Sequence, residues 1–176
     1  GLNQKEPISS EFQHFTTQNS NLVHNAVSTL AADNRRRLWI GTWGGGVDIL
    51  MLDNPDEIYH LDVAENYKRL LYHVGALAYD KYNDGMWIGT NDGLFFYDFQ
   101  TRTLLLPFKG CLEVRGCIGS LIDSNGLLWI GSQTGMRIID LTQRNHKAKF
   151  QFTHRSYMFK LDQPDAKIVD KITCFC

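Results

Sequence analysis

No apolar run in this 176-residue sequence approaches the ~20 residues a membrane-crossing helix needs, so no segment of it reads as one. Net charge is nearly absent: 18 Lys and Arg against 19 Asp and Glu leave −1. That balance gives no reason to expect nucleic acid or an anionic membrane surface as a partner of the chain. The one dense basic cluster, Arg35-Arg36-Arg37, falls in a turn between two apolar runs and reads as a solvated turn rather than a binding patch. No secretory signal is legible at the N-terminus. The sequence opens "GLNQKEPISS" without Met, which suggests a processed chain or a fragment.

Cysteine is sparse too. Cys111, Cys117, Cys174 and Cys176 include no C-x-x-C pair. In a strand Cys174 and Cys176 would share a face with Cα atoms roughly 6.5–7 Å apart, at the upper end for an unstrained disulfide. Cys111 and Cys117 could meet across a loop. Buried free thiols are the favoured reading, with a disulfide and then a metal site as alternatives, so the redox compartment stays open.

What the sequence does contain is a phrase written three times. "RLWIGTWGGG" (37–46), "GMWIGTNDGL" (85–94) and "LLWIGSQTGM" (127–136) align on Trp39, Trp87 and Trp129, which are 48 and 42 residues apart. Upstream of each lies a short small-and-apolar segment ending in Asp33, Asp80 or Asp123, six or seven residues before its Trp. Downstream, Gly45, Gly93 and Gly135 each fall six residues after the Trp, and another apolar segment follows. Each unit therefore reads strand, turn, strand, turn, strand, with Asp, Asn and Gly supplying the turn geometry. A looser outer strand completes it at 57–61, 103–108 and 149–154, and 11–15 looks like the outer strand of a preceding unit.

Four-stranded repeats of 40–50 residues point to a β-propeller, an all-β fold of antiparallel blades. The run "LWI" has no apolar/polar alternation, so both of its faces must be covered, as they are when a blade lies between two others. Gly41, Gly89 and Gly131 then fall where a neighbouring sheet comes too close for a side chain, and the three Trp fill the space between blades. A phosphate-binding glycine loop would need a helix directly after the glycines, and "VDIL" after Gly46 reads as strand. The in-phase Asp residues stand one per blade, which suits turn capping better than a shared catalytic or metal centre.

The expected organisation is thus a partial propeller over 1–176, with blade units at about 24–62, 72–108 and 115–154, and 169–176 beginning a further blade. Closed propellers have about 4–8 blades, so further blades or a second copy in a homodimer are the expected partners. Residues 62–73 carry apolar side chains at 63, 67, 70 and 71, a spacing that fits a short helix or an irregular loop equally. Residues 155–168 read as a polar crossover in which Pro164 opposes a helix.

The three copies, "DNRRRLWIGTWGGGV", "DKYNDGMWIGTNDGL" and "DSNGLLWIGSQTGM", resemble the two-component regulator propeller repeat. The first departs in placing Arg37 where the turn Gly would be, and the third has Ser132 for Thr. The resemblance implies a sensory role in the periplasm. Such repeats are similar to the extracytoplasmic half of hybrid two-component systems, where propellers precede a membrane helix, a histidine kinase and a DNA-binding response regulator. Many of those sensors respond to oligosaccharides released from glycans and switch on polysaccharide-utilisation genes. No kinase part is present in the chain, and no catalytic residue carries over.

Ligands of propellers commonly sit on the face made by the second-to-third-strand turns and the loops leading into the inner strands. Here the turns offer Trp43, Asn91, Asp92, Gln133 and Thr134, and the loops offer Asn21, His24, Asn25, Tyr72 and His73. Trp43 is the one Trp outside the repeated position. An aromatic plane beside amides and a carboxylate is how a sugar ring is held, so an oligosaccharide is the expected ligand, with no cofactor and no metal. Two other classes remain open: a soluble propeller enzyme acting on glycans, for which no acid/base group recurs, and a pure protein-interaction scaffold.

Overall fold

The apolar runs of the repeat become strands in the computed structural model of the chain, which describes residues 1–5, 10–106, 114–133, 135–145 and 151–157, with the backbone alone for 143–145 and 151–157. Thr134, Cys111, Cys174, Cys176, Pro164 and the expected further blade at 169–176 lie outside the described residues. Three four-stranded antiparallel sheets follow one another. The first is built from β3 (Val27–Ala32), β4 (Arg37–Thr42), β5 (Val47–Met51) and β6 (Asn54–His60); the second from β7 (Val74–Asp80), β8 (Gly85–Thr90), β9 (Leu94–Asp98) and β10 (Thr103–Leu105). The third contains β11 (Gly119–Ile122), β12 (Leu127–Ser132), β13 (Gly135–Asn145) and β14 (Gln151–Tyr157). In each the strands are ordered as they occur in the chain. The strand β14 runs to Tyr157, three residues into the stretch expected as crossover. Ahead of them, β2 (Phe12–Phe15) pairs with a strand the sequence pattern did not suggest, β1 (Leu2–Lys5). Segment 62–73 turns out to be both things its spacing allowed: a loop holding one helical turn, α1 (Glu65–Lys68).

Packing is between sheets, as a propeller requires. One apolar cluster joins Trp39, Val47 and Ile49 of the first sheet to Val74, Leu77, Met86, Ile88 and Phe95 of the second. Another joins Trp87 and Phe96 of the second to Leu128, Ile130 and Ile139 of the third. A third sets Ile40 and Leu50 against Leu2 and Phe15 of the β1–β2 pair. Trp39 stacks on Phe99 at 5.3 Å between ring centroids, reaching across to the second sheet. The glycine after each Trp makes this approach possible. A Cβ on Gly41 would stand 2.8 Å from Val74 Cγ1, and one on Gly89 would stand 2.6 Å from Cys117 Cβ, both on the neighbouring unit. Inner strands are tied to each other by Ser28 Oγ donating to Val74 O (2.5 Å) and Ser120 Oγ to Leu77 O (3.1 Å). Cys117 is a buried free thiol at the second of these joints, and burial pushes it up to about 12, so it is inert packing rather than chemistry.

The repeated Asp does more than cap a turn. One carboxylate oxygen takes turn amides: Arg35 N, Tyr82 N and Asn125 N donate to Asp33, Asp80 and Asp123 at 2.8–2.9 Å. The other oxygen accepts the indole N–H of the same unit's Trp, at 2.8 Å for Trp39 and 3.0 Å for Trp87 and Trp129. The left-handed residue of this turn is the one three before the Trp: Arg36 (φ 56°), Asp84 (φ 51°) and Gly126 (φ 79°). That corrects the alignment of Arg37 with the turn glycine. Arg37 instead lies in β4, and its Nε donates to Asp33 Oδ2 at 2.7 Å. The basic cluster is taken up by ion pairs: Arg35 with Asp84 of the next unit, Arg36 with Asp53 and Arg37 with Asp33, at 2.5–2.6 Å.

Equivalent positions therefore carry opposite electrostatics. At Asp33 burial raises the carboxyl, but the hydrogen bonds from Trp39 and Arg37 outweigh it and hold it below the usual 3.8. At Asp80 burial is deeper and no arginine answers it; the bonds from Asn83 and Trp87 leave it above 3.8. A lowered group stabilises the fold above its unfolded value and loses that contribution as pH falls; a raised group does the reverse. Urea midpoints measured from about pH 7 down to about pH 3 should show wild type losing ground to Asp33→Asn and gaining on Asp80→Asn.

Candidate functional site

The threonine of each "WIGT" builds the hairpin that forms one face of the molecule. Thr42 Oγ1 donates to Gly46 O (2.9 Å) and accepts Gly45 N (3.0 Å), and Thr90 Oγ1 donates to Gly93 O (3.1 Å) while accepting Gly93 N and Asp92 N. Ser132 Oγ reaches Gly135 O at 2.8 Å, so the hydroxyl alone is what the position needs. Closing such a turn leaves the residue after the Thr at the tip. That residue is Trp43, Asn91 or Gln133.

Each tip is then stitched to a loop leading into an inner strand, of its own sheet or of the next. Gly44 N donates to Tyr72 O (2.8 Å), Asn91 N to His73 O (3.1 Å), Gly116 N to Asn91 O (3.2 Å) and Gln133 N to Arg115 O (3.2 Å). Trp43 forms a bridge with His73 and donates its backbone N–H to Ala26 O at 2.8 Å. The face read from the sequence thus brings Trp43, Tyr72 and His73 together. Trp43 and His73 are 5.4 Å apart between ring centroids, and Tyr72 meets His73 edge-on at 4.9 Å. Trp43 is 45% exposed and Tyr72 52%, a large aromatic surface held open to solvent.

The remaining residues divide. Asn91 and exposed Asp92 stand at the tip of the second sheet, and exposed Gln133 at that of the third. The His24 ring accepts Ala26 N at 3.1 Å and packs over Gly44 and Gly45, so it supports the Trp43 turn. Asn25 is spent on its own loop, accepting Thr17 N (2.9 Å) and donating to Thr17 Oγ1 (3.1 Å). Asn21 is exposed in the same loop. Among the described residues no group of His, Cys, Asp and Glu could hold a metal ion, and no helix is long and apolar enough to cross a membrane.

Sequence reasoning missed one pair on this face. Asp48, fully buried at the start of β5, accepts Val23 N at Oδ2 (2.9 Å) and bonds His60 Nδ1 through Oδ1 (2.8 Å). A signal was present. The strand register sets Asp48 opposite Ile40, where the other sheets set Phe95 opposite Ile88 and Arg137 opposite Ile130. An acid inside "GVDIL" departs from the repeat.

Comparison with known proteins bears on these features. The two-component regulator propeller family matches at residues 21–44, the segment from Asn21 through the Trp43 turn. No curated protein matches the chain. Among solved structures, two crystal structures of the extracellular domain of BT4673 from B. thetaiotaomicron are similar. One, described as a one component system, has TM-score 0.71 and 18% identity over 91% of this chain and 20% of that one. The other, described as a hybrid two component system, has TM-score 0.65 and 18% identity over 98% and 21%. The extracellular domain of the hybrid two component system BT3049 from the same organism has TM-score 0.59 and 23% identity over 85% and 19%. The chain spans about a fifth of the length of these structures and shares their fold. Residues 21–44 match the two-component regulator propeller repeat, and they lie in a chain of β-propeller fold.

Proposed function

We propose that the chain is part of the extracytoplasmic sensor half of a two-component signalling protein, in the periplasm, and that its turn face recognises glycan-derived oligosaccharides to control polysaccharide-utilisation genes. The observation that carries this reading is the family match at residues 21–44, which ends in the turn bearing Trp43. The extracellular domains of B. thetaiotaomicron signalling systems that share the fold support it. The exposed Trp43–His73–Tyr72 group supports the ligand class: a flat aromatic surface covers the C–H face of a sugar ring, and neighbouring polar groups meet its hydroxyls. Nothing in this chain performs turnover in that reading; the signalling chemistry belongs to a kinase elsewhere in the parent protein.

The sensor reading is tested by the coding frame around this segment. It should run through more "LWIGT" copies into one apolar segment of ~20 residues and then a kinase. A frame that closes a propeller and stops would end it. The ligand reading is tested on the chain by intrinsic fluorescence against a panel of plant and host oligosaccharides. Trp43→Ala should leave stability within about 0.5 kcal/mol, as exposed substitutions do, and weaken the best binder by about tenfold or more. Unchanged affinity would remove Trp43 from the site.

A further inference from the structure

Beside the Trp43 turn a cleft of about 260 Å³ opens between Gly44–Gly46 and the segment from His60 to Tyr72. Val47, Leu61, Val63 and Leu71 give it an apolar lining, and His60, Lys68 and Tyr72 are its charged or titratable side chains. Lys68 is already paired, its Nζ 2.8 Å from Glu65 Oε2. His60 is different. Its Nδ1 is held by Asp48, a carboxylate with no exposure at all whose second oxygen is fixed by Val23 N. A carboxylate only accepts hydrogen bonds, so the proton of the shared bond sits on the imidazole Nδ1. On the neutral ring Nε2 is then the acceptor. Among the described residues nothing bonds to it.

The surroundings keep that acceptor open. The Cε1–Nε2 edge of the ring lies over Gly46, where a Cβ would stand 3.1 Å from Cε1 and 3.6 Å from Nε2. Gly46 has φ 79°, so glycine is required there for the backbone as well. Burying an acid in a strand is costly unless it is bonded. Here the acid holds one loop amide and fixes which nitrogen of a half-exposed histidine faces the cleft.

We propose that this cleft binds one hydroxylated ring with an apolar face, a single pyranose unit, and that one of its hydroxyls donates a hydrogen bond to His60 Nε2 while the aliphatic lining covers its C–H face. The volume is just below the range of ~300–1,000 Å³ that accommodates drug-sized ligands, which suits one ring. At the neutral ring an anion's oxygen would meet a lone pair rather than a donor, and the one cation of the lining, Lys68, is paired with Glu65. The site is separate from the Trp43 surface, although Tyr72 borders both, and it requires no signalling role for the parent protein.

Long-range ¹H–¹⁵N correlation spectra of the histidine rings in the intact chain test this, with His60 assigned from its absence in His60→Phe. The probes are methyl β-D-glucopyranoside, methyl β-D-galactopyranoside and methyl α-D-mannopyranoside, with sodium acetate as the anionic control. His60 should begin as the Nδ1–H tautomer. At least one pyranoside, and not acetate, should shift Nε2 saturably, and His60→Phe should weaken that binding by about tenfold while His60→Gln, which keeps an acceptor, recovers part of it. The His60 shift should persist in Trp43→Ala. An Nε2–H tautomer, no shift with any of the three pyranosides, full affinity in His60→Phe, or loss of the shift in Trp43→Ala would each overturn the assignment to this cleft.

Discussion

One hydrogen bond recurs in each of the three described sheets and the architecture hangs on it: the indole N–H of the second-strand Trp to the Asp that ends the first strand or stands just after it. Trp is the side chain large enough to fill the space between blades, but its N–H cannot be buried alone. Asp satisfies it with one oxygen and ties the first turn with the other. Turn geometry and interblade packing are thereby fixed by the same carboxylate. The next residues follow from that placement. With the Trp packed on the neighbouring sheet, the position two residues on lies so close to it that only glycine fits, as Gly41 against Val74 and Gly89 against Cys117 show. The hydroxyl after the glycine closes the second turn.

Function is then left to the residues that this scaffold does not use. The hairpin tip after the Thr or Ser is free to vary, and it does: Trp43, Asn91, Gln133. The strand position that is apolar in the second sheet carries Asp48 in the first. Both departures lie at the same end of the first sheet's strands, next to segment 62–73, whose Leu71 and Tyr67 pack into the first interblade core. The segment adds a wall there, and the wall turns that end into a cleft.

Much of the fold was legible because the repeat is read three times, and an interaction needed in each blade keeps its residues in phase. The role of the Asp was legible only by half: spacing shows a turn, whereas the bond to Trp needs three-dimensional proximity across six or seven residues. The slip at Arg37 has the same origin. Arg36, Asp84 and Gly126 share a left-handed backbone but no side-chain chemistry, so nothing in their identities aligns them. On the face, Trp43 was visible as an exception to the pattern, and His73 and Tyr72 as loop residues beside it. Asn25 and His24 were visible as polar residues, but polarity does not tell a ligand contact from a loop brace. The Asp48–His60 pair joins positions twelve residues apart in neighbouring strands, and only the register between β5 and β6 brings them together.

The central claim is that the Asp carboxylate and the Trp indole act as a unit linking turn to core. A double-mutant cycle on the most buried pair, Asp80→Ala and Trp87→Phe, measured by urea unfolding, tests it most directly. A bond from a neutral donor to a buried carboxylate predicts a coupling energy of about 1.5–3 kcal/mol. Additive losses, with a coupling below about 0.5 kcal/mol, would mean that turn and packing are independent and that the repeat is held by its apolar residues alone.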